Sequence, residues 1–287
     1  LSGHTNNVNS AVFSSDNKRV VTASWDNTAR IWEMESGKEL QILSGHTKGV
    51  SSAVFSSDNK RVVTASWDKT ARIWDVESGK ELQVLRGHAH KVYSALFSSD
   101  NKRVVTASSK IAWIWDVESG KELHILKGHT YGVESALFSV DNKLVVTASS
   151  DNYTAWIWDV ESGKELHVLK GHTYRVRSAL FSTDNKLVVT ASNDKTARIW
   201  DVESGKELQV LRGHKKTVNS ALFSADNKRV VTASWDYTAR IWDVESGKEL
   251  QVLRGHKKNV NSAVFSSDNK RVVTASWDGT ARIWDVE

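Results

Sequence analysis

Polar and apolar positions alternate along this chain in short runs, and the same runs return again and again. Val260–Phe265 (VNSAVF) alternates small or apolar residues with polar ones, which predicts a strand. Arg271–Ser276 (RVVTAS) is rich in β-branched residues and predicts a buried strand. Thr280–Trp284 (TARIW) has period two, so Ala281 and Ile283 share one face and Arg282 and Trp284 the other. Glu249–Leu253 (ELQVL) predicts a fourth strand. Between these runs lie turn signals: SSDNK from Ser266, WDG from Trp277 and DVESGK in most copies. Asp and Asn in such turns bond their own backbone and tolerate left-handed geometry. No stretch of ten residues has an apolar period near 3.6, so no helix is predicted.

The unit of four strands repeats along the whole chain. Gly-His pairs begin at Gly3, Gly45, Gly87, Gly128, Gly171, Gly213 and Gly255, with spacings of 42, 42, 41, 43, 42 and 42. A Trp followed by an acid closes each copy, from Trp32 to Trp284. A fixed period in this range decides the architecture before any other feature. Four short strands per repeat with Gly-His and Trp-Asp landmarks resemble the WD-repeat family of β-propellers. The near-identical copies also resemble recently amplified propellers of bacterial and fungal signalling proteins.

The resemblance implies an all-β fold: one domain over 1–287, with seven radial blades of four antiparallel strands. The family completes its last blade with a strand from the other end of the chain. Here Leu1 and Ser2 match only the tail of such a strand, so the last blade is expected to lack its outer strand. That leaves an open edge, an aggregation liability. The chain also opens inside a repeat, which reads as a domain cut from a longer chain.

Composition narrows the classes without naming one. With 287 residues the chain can bury a large core. No apolar run is long enough to cross a membrane, so no membrane association is expected. The absence of cysteine fits a reducing, cytoplasmic setting, and removes disulfides and thiolate metal sites. The absence of proline follows from amplification of one Pro-free unit. A net charge of +5 is modest, so its placement matters more than its total.

Each copy holds a His, a Ser, an Asp and a Trp at fixed offsets, the types found in hydrolytic triads. The intact sets are His4, Ser24, Asp26, Trp32; His46, Ser66, Asp68, Trp74; and His129, Ser149, Asp151, Trp158. They continue with His172, Ser192, Asp194, Trp200; His214, Ser234, Asp236, Trp242; and His256, Ser276, Asp278, Trp284. One active site needs one triad, so six intact copies favour a folding device over a catalyst. The resemblance implies that Asp bonds His, and that His bonds the Ser, which reaches the Trp. No enzyme and no cofactor is expected. The third copy has lost the Asp, leaving His88 and Trp115, and the fourth has gained a residue in the same turn, so both turns are expected to be irregular. His90, His124 and His167 lie outside the Gly-His pairs without metal-ligand spacing, so no metal site is expected.

Comparison among the copies separates fixed from free positions. The SSDNK and DVESGK turns hardly change. Change concentrates just after Gly-His and in the turn after the Ser of the second strand, and a four-stranded meander puts both loops at one end of the blade. Binding residues concentrate in loops on a rigid scaffold. The aromatic candidates are Trp25, Trp67, Trp113, Trp156, Trp235, Trp277, Tyr93, Tyr131, Tyr153 and Tyr174. Basic candidates are Lys91, Arg175, Arg177, Lys215 and Lys257. Trp113 and Trp156 replace an Arg that recurs as Arg30, Arg72, Arg198, Arg240 and Arg282. Aromatic side chains and arginine are enriched at interface hot spots. The expected function is non-catalytic recognition of a protein or peptide, acidic partners favoured, as sensor or interaction domain of a larger signalling protein. The alternatives are nucleic acid or polyanion binding by the same face, and a designed or purely structural repeat protein without ligand. Trp25, Trp67, Trp235 and Trp277 recur in four copies, so blade capping is an equal reading of those four.

Overall fold

The computed structural model describes residues 1–150 and 153–286. The described residues form 27 strands in seven antiparallel sheets and no helix. Numbered in chain order, sheets 1 to 6 (8–44, 50–86, 92–127, 133–169, 176–212 and 218–254) have four strands each in sequence order, and the seventh, Val260–Phe265, Arg271–Ser276 and Ala281–Asp285, has three. The strands fall in two compact units. One spans Leu1–Phe138 with Val160–Lys164 and holds sheets 1 to 3; the other spans Ser139–Asp159 with Glu165 onward and holds sheets 5 to 7.

The hydrophobic pattern explains the layering in each sheet. Second strands such as Arg61–Ser66 are buried at five successive positions, because both of their faces meet other sheets. Fourth strands such as Glu81–Arg86 expose their polar residues and bury one Leu. In the first unit, Val21, Ala23, Ala29, Ile31 and Leu43 of sheet 1 pack on Val50, Ala53, Phe55, Val62, Trp74 and Val76 of sheet 2. In the second, sheet 5 meets sheet 6 through the same positions, from Val189 and Ile199 to Val230 and Trp242. Each core is therefore a junction between consecutive sheets. A single repeat has no core of its own.

The constant SSDNK turn is held twice over. Ser56 Oγ donates to Asp58 Oδ1 at 2.6 Å, and the Lys60 amide donates to the same oxygen at 3.0 Å. Asn59 takes the left-handed conformation, φ 59°, which Asn tolerates best among non-glycine residues. Its side chain then binds the preceding sheet, accepting from the Ser15 amide at 2.9 Å and reaching Ser15 Oγ at 2.8 Å. The turn is constant because it closes its own strand pair and ties two sheets together.

The two repeats of irregular length keep their strand register. Ala107 pairs with Ala112 and Ala148 with Ala155, as Ala65 pairs with Ala71 elsewhere. The lost and gained residues are absorbed by the turns. A register slip of one residue would have turned every core side chain outward.

Candidate functional site

Beneath the variable loops each intact repeat builds one polar relay. In sheet 1, His4 Nδ1 lies 2.7 Å from Asp26 Oδ2, and His4 Nε2 lies 2.7 Å from Thr22 Oγ1. Trp32 Nε1 donates to the same Thr22 oxygen at 2.8 Å. A neutral imidazole protonated at Nδ1 satisfies every member: it donates to Asp26 and accepts from the Thr22 hydroxyl. The relay recurs through Asp68, His46, Thr64 and Trp74; Asp194, His172, Thr190 and Trp200; Asp236, His214, Thr232 and Trp242; and Asp278, His256, Thr274 and Trp284. In sheet 4, Trp158 donates to Thr147 at 2.9 Å, while Asp151 lies outside the described residues.

The link between His and Trp is therefore Thr, and the expected Ser link is corrected. Ser24 Oγ donates to the Asn6 carbonyl at 3.2 Å and accepts from the Asp26 amide at 3.1 Å. Ser66, Ser192, Ser234 and Ser276 do the same, tying the second strand to the variable loop before it. The reason is strand alternation. Thr and Ser are two apart and share a face, but only Thr lies deep enough to meet the Trp of the paired strand. Thr and Ser both recur in all seven copies, so the sequence alone did not separate them.

The carboxylates are fully engaged. Burial alone would raise the Asp68 carboxyl, but bonds from His46, Thr70 and the Thr47 amide outweigh it and hold it well below the usual carboxylate range. Asp194 and Asp236 follow the same pattern. Burial pushes the His172 and His214 imidazoles down, partly offset by their Asp partners. These groups are locked in hydrogen bonds to one another.

Four of the five recurrent arginines are engaged as well. Arg72 Nη1 bonds Glu81 Oε2 at 2.5 Å, and its Nη2 lies 3.8 Å from Asp68. Arg30 pairs likewise with Glu39, Arg198 with Glu207 and Arg240 with Glu249. In the repeats that carry this arginine, the Gly of the Gly-His pair sits directly over the guanidinium: a Cβ at Gly45 would lie 2.5 Å from Arg72 Nη1. The Gly-His landmark is thus a matter of space.

Trp113 is corrected from a contact residue to a core residue. It is 8% exposed, stacks on Trp115 at 4.9 Å and lies 4.8 Å from His88. Its ring fills the volume that Arg72 takes in sheet 2. Trp156 is half-buried, stacks on Trp158 at 5.2 Å and donates to Thr154 at 2.8 Å.

The other candidates do reach the surface, and several meet across neighbouring repeats. In the first unit, Trp25 and Trp67 lie 5.6 Å apart and Lys91 Nζ sits 3.7 Å over the Trp67 ring. Tyr93 and Tyr131 are exposed nearby in sequence. In the second unit, Tyr153 and Tyr174 lie 5.9 Å apart and Trp235 and Trp277 6.0 Å apart. The Arg177 guanidinium lies 5.1 Å from the Trp235 ring, and Lys216 lies 4.7 Å over Tyr237. Lys215 and Lys257 are exposed, while their backbone amides hold Asp236 and Asp278; Arg175 is half-buried. Tyr153, Lys69, Lys195 and Tyr237 take left-handed conformations at the turn tips.

Seven successive segments, 1–33, 37–75, 79–116, 120–159, 163–201, 205–243 and 247–285, match the family model described as WD domain, G-beta repeat. The chain belongs to the WD-repeat family. Its fold is the all-β, seven-bladed β-propeller of that family, with a three-stranded last blade. Among solved structures it is similar to the computationally designed Ika8 protein, at 29% identity and a TM-score of 0.89. That match covers 99% of this chain and 85% of the designed one. No curated protein matches the chain. The family makes a non-catalytic interaction scaffold the coarse reading of this WD-repeat chain.

Proposed function

We propose that the variable loops form a recognition face for an acidic protein or peptide segment. The reading rests on one observation: rings from consecutive repeats contact one another and carry cations on their faces, as in Trp25, Trp67 and Lys91. A row of tilted aromatic rings with a flanking ammonium group offers an extended peptide both apolar area and charge. On this reading the domain serves as the sensor or interaction part of a larger signalling protein.

An array of acidic and neutral peptides, probed with the wild type and with Trp67→Ala and Tyr174→Ala, tests the proposal. Acidic peptides retained by the wild type and lost by both variants support it. Equal retention by all three removes it. Polyanion binding is the second reading, favoured by the exposed Lys215, Lys216, Lys257 and Lys258. It would show as capture of mixed-sequence single-stranded DNA that falls steeply with salt. The designed neighbour keeps a third reading in view, a scaffold without ligand, for which neither probe binds.

A further inference from the structure

Sheets 1, 2, 5, 6 and 7 each hold one carboxylate oxygen in the same way. The imidazole Nδ1 and the backbone amide of the next residue converge on the Asp Oδ2, at 2.8 and 3.1 Å in sheet 2 and at 2.7 and 3.0 Å in sheet 1. His172 with Thr173, His214 with Lys215 and His256 with Lys257 repeat the pair. Two donors adjacent in sequence thus make one acceptor cradle.

Sheet 3 keeps both donors and supplies no acid to them. His88 is 6% exposed, and its Nε2 lies 2.8 Å from Thr106 Oγ1, as His46 lies 2.8 Å from Thr64. The Trp115 indole can only donate, and it bonds the same Thr106 oxygen at 2.8 Å, so the hydroxyl hydrogen is left for His88 Nε2. The imidazole proton therefore sits on Nδ1, the nitrogen that meets Asp in the other sheets. Among the described residues, neither His88 Nδ1 nor the Ala89 amide has an acceptor. Trp113, with its ring 4.8 Å from His88, carries a third donor without a partner, its buried Nε1. Native structures leave few such donors unanswered without a reason. At the rim, Ala89 and the cationic Lys110 are exposed.

We propose that sheet 3 is a carboxylate-binding site, in which an external carboxylate takes the place that Asp68 holds in sheet 2 and accepts from His88 Nδ1 and the Ala89 amide. The acid is a side chain of a bound peptide or a small free acid. The first source rests on the recognition face proposed above; the site itself does not. Ile111 stands where Thr70 gives Asp68 Oδ1 its two bonds, so an external acid is held more weakly than the chain holds its own.

Formate is the probe for the site. In protein with isotope-labelled histidine at neutral pH, sodium formate should move the His88 Nδ1 resonance saturably, with half-saturation on the order of 10 mM. The resonances of His46 and His172, already bonded to Asp, should stay still, and sodium chloride at equal ionic strength should move none. Formate should also raise the urea midpoint of the wild type and leave that of His88→Gln unmoved. A graft of the sheet 2 turn, Trp67–Lys69, in place of Ser109 and Lys110 supplies an internal acid and should abolish both responses. The fourth copy already carries an Asp and a Trp at these positions together, Asp151 and Trp156. A His88 resonance that formate leaves unmoved overturns the site, and so does a graft that responds as the wild type does. Capped hexaglutamate separates the two sources. If the peptide supplies the acid, formate competes with it and the graft binds it about tenfold more weakly. Equal binding to wild type and graft, with the formate response intact, assigns the site to a small free acid. Hexaglutamate that binds neither protein tells against the recognition face alone.

Discussion

Sheets 2 and 3 lie in the same unit and share most of their sequence, yet they neutralise their polar centres in different ways. Sheet 2 buries Asp68 against His46 and Arg72, with Glu81 completing the charge balance. Sheet 3 has no acid in the corresponding turn and no arginine either. Trp113 occupies the arginine's place, and among the described residues His88 keeps its bond to Thr106 at 2.8 Å without an acid on Nδ1. The two losses coincide in sheet 3, whereas the sequence of the fourth copy keeps Asp151 while Trp156 replaces the arginine. A guanidinium at position 113 without the carboxylate would have Glu122 of the fourth strand as its one acidic partner, and a carboxylate without the guanidinium would lose an attraction it has in sheet 2. A buried charge is removed safely only with its partner.

The largest effect is expected from breaking that pairing where it is intact. Asp68→Ala removes the acceptor for His46, Thr70 and the Thr47 amide, and leaves Arg72 with Glu81 alone. It should cost about 4 kcal/mol in urea unfolding. The double variant Asp68→Ala with Arg72→Trp copies the solution of sheet 3 and should recover about half of that loss. A double variant no more stable than the single one would show that Trp113 and the missing Asp are unrelated.

A second effect comes from the imidazole that sheet 3 leaves without an acid. Burial pushes His88 down to about 4, from an ordinary value of 6.5. Between those values the unfolded chain binds a proton at this site that the folded chain does not. Stability therefore falls as pH is lowered through this window, by about 3 kcal/mol in all, and is fully present above it. Urea midpoints measured from pH 7 to pH 4 should slope less in His88→Gln than in the wild type. Parallel slopes would place the proton uptake elsewhere.

The fold was legible in the sequence because its signals repeat. Alternating strands, SSDNK turns and a Gly-His period of about 42 agree in every copy, and seven copies leave little freedom. The site was legible only in part. Loop variation pointed to Trp25, Trp67, Lys91, Trp235 and Trp277, which do meet across repeats. It also pointed to Trp113, because a change of residue looks the same whether the new side chain turns outward or fills a core. Side-chain depth depends on the neighbouring strand, and one strand's sequence does not carry it. The choice of Thr64 over Ser66 as the link to Trp74 was hidden for the same reason.

A smaller contrast concerns the glycines above the two centres. A Cβ at Gly87 would lie 2.5 Å from two atoms of the Trp113 ring, which is packed between His88 and Trp115 and has nowhere to go. A Cβ at Gly45 would meet the end of the Arg72 side chain at the same distance, and a guanidinium can shift. Gly87→Ala should cost about 2 kcal/mol and Gly45→Ala about 1, read as urea midpoints. The reverse order would mean that the Arg72–Glu81 pair resists displacement more than the stacked rings do.

The smallest effect on stability is expected at Trp67, and it separates two roles that this position could have. Trp67 is half-buried, touches Trp25 at 5.6 Å and carries Lys91 on its face. If it caps the sheet, Trp67→Ala should behave as a core truncation and cost about 3 kcal/mol or more. If it belongs to a recognition face, the loss is confined to a ring contact and an exposed cation–π pair, about 0.5 to 1 kcal/mol. The second outcome is expected, because no hydrogen bond of the relay passes through its side chain and the Trp67 amide is held by the Gly49 carbonyl whatever the residue. Its counterpart in sheet 3 shows the consequence: the turn there has no Trp, yet the strand register is unchanged. Trp67→Ala should therefore leave the urea midpoint close to the wild type while acidic-peptide binding falls. A midpoint loss as large as that of Asp68→Ala would reassign the aromatic row to the scaffold.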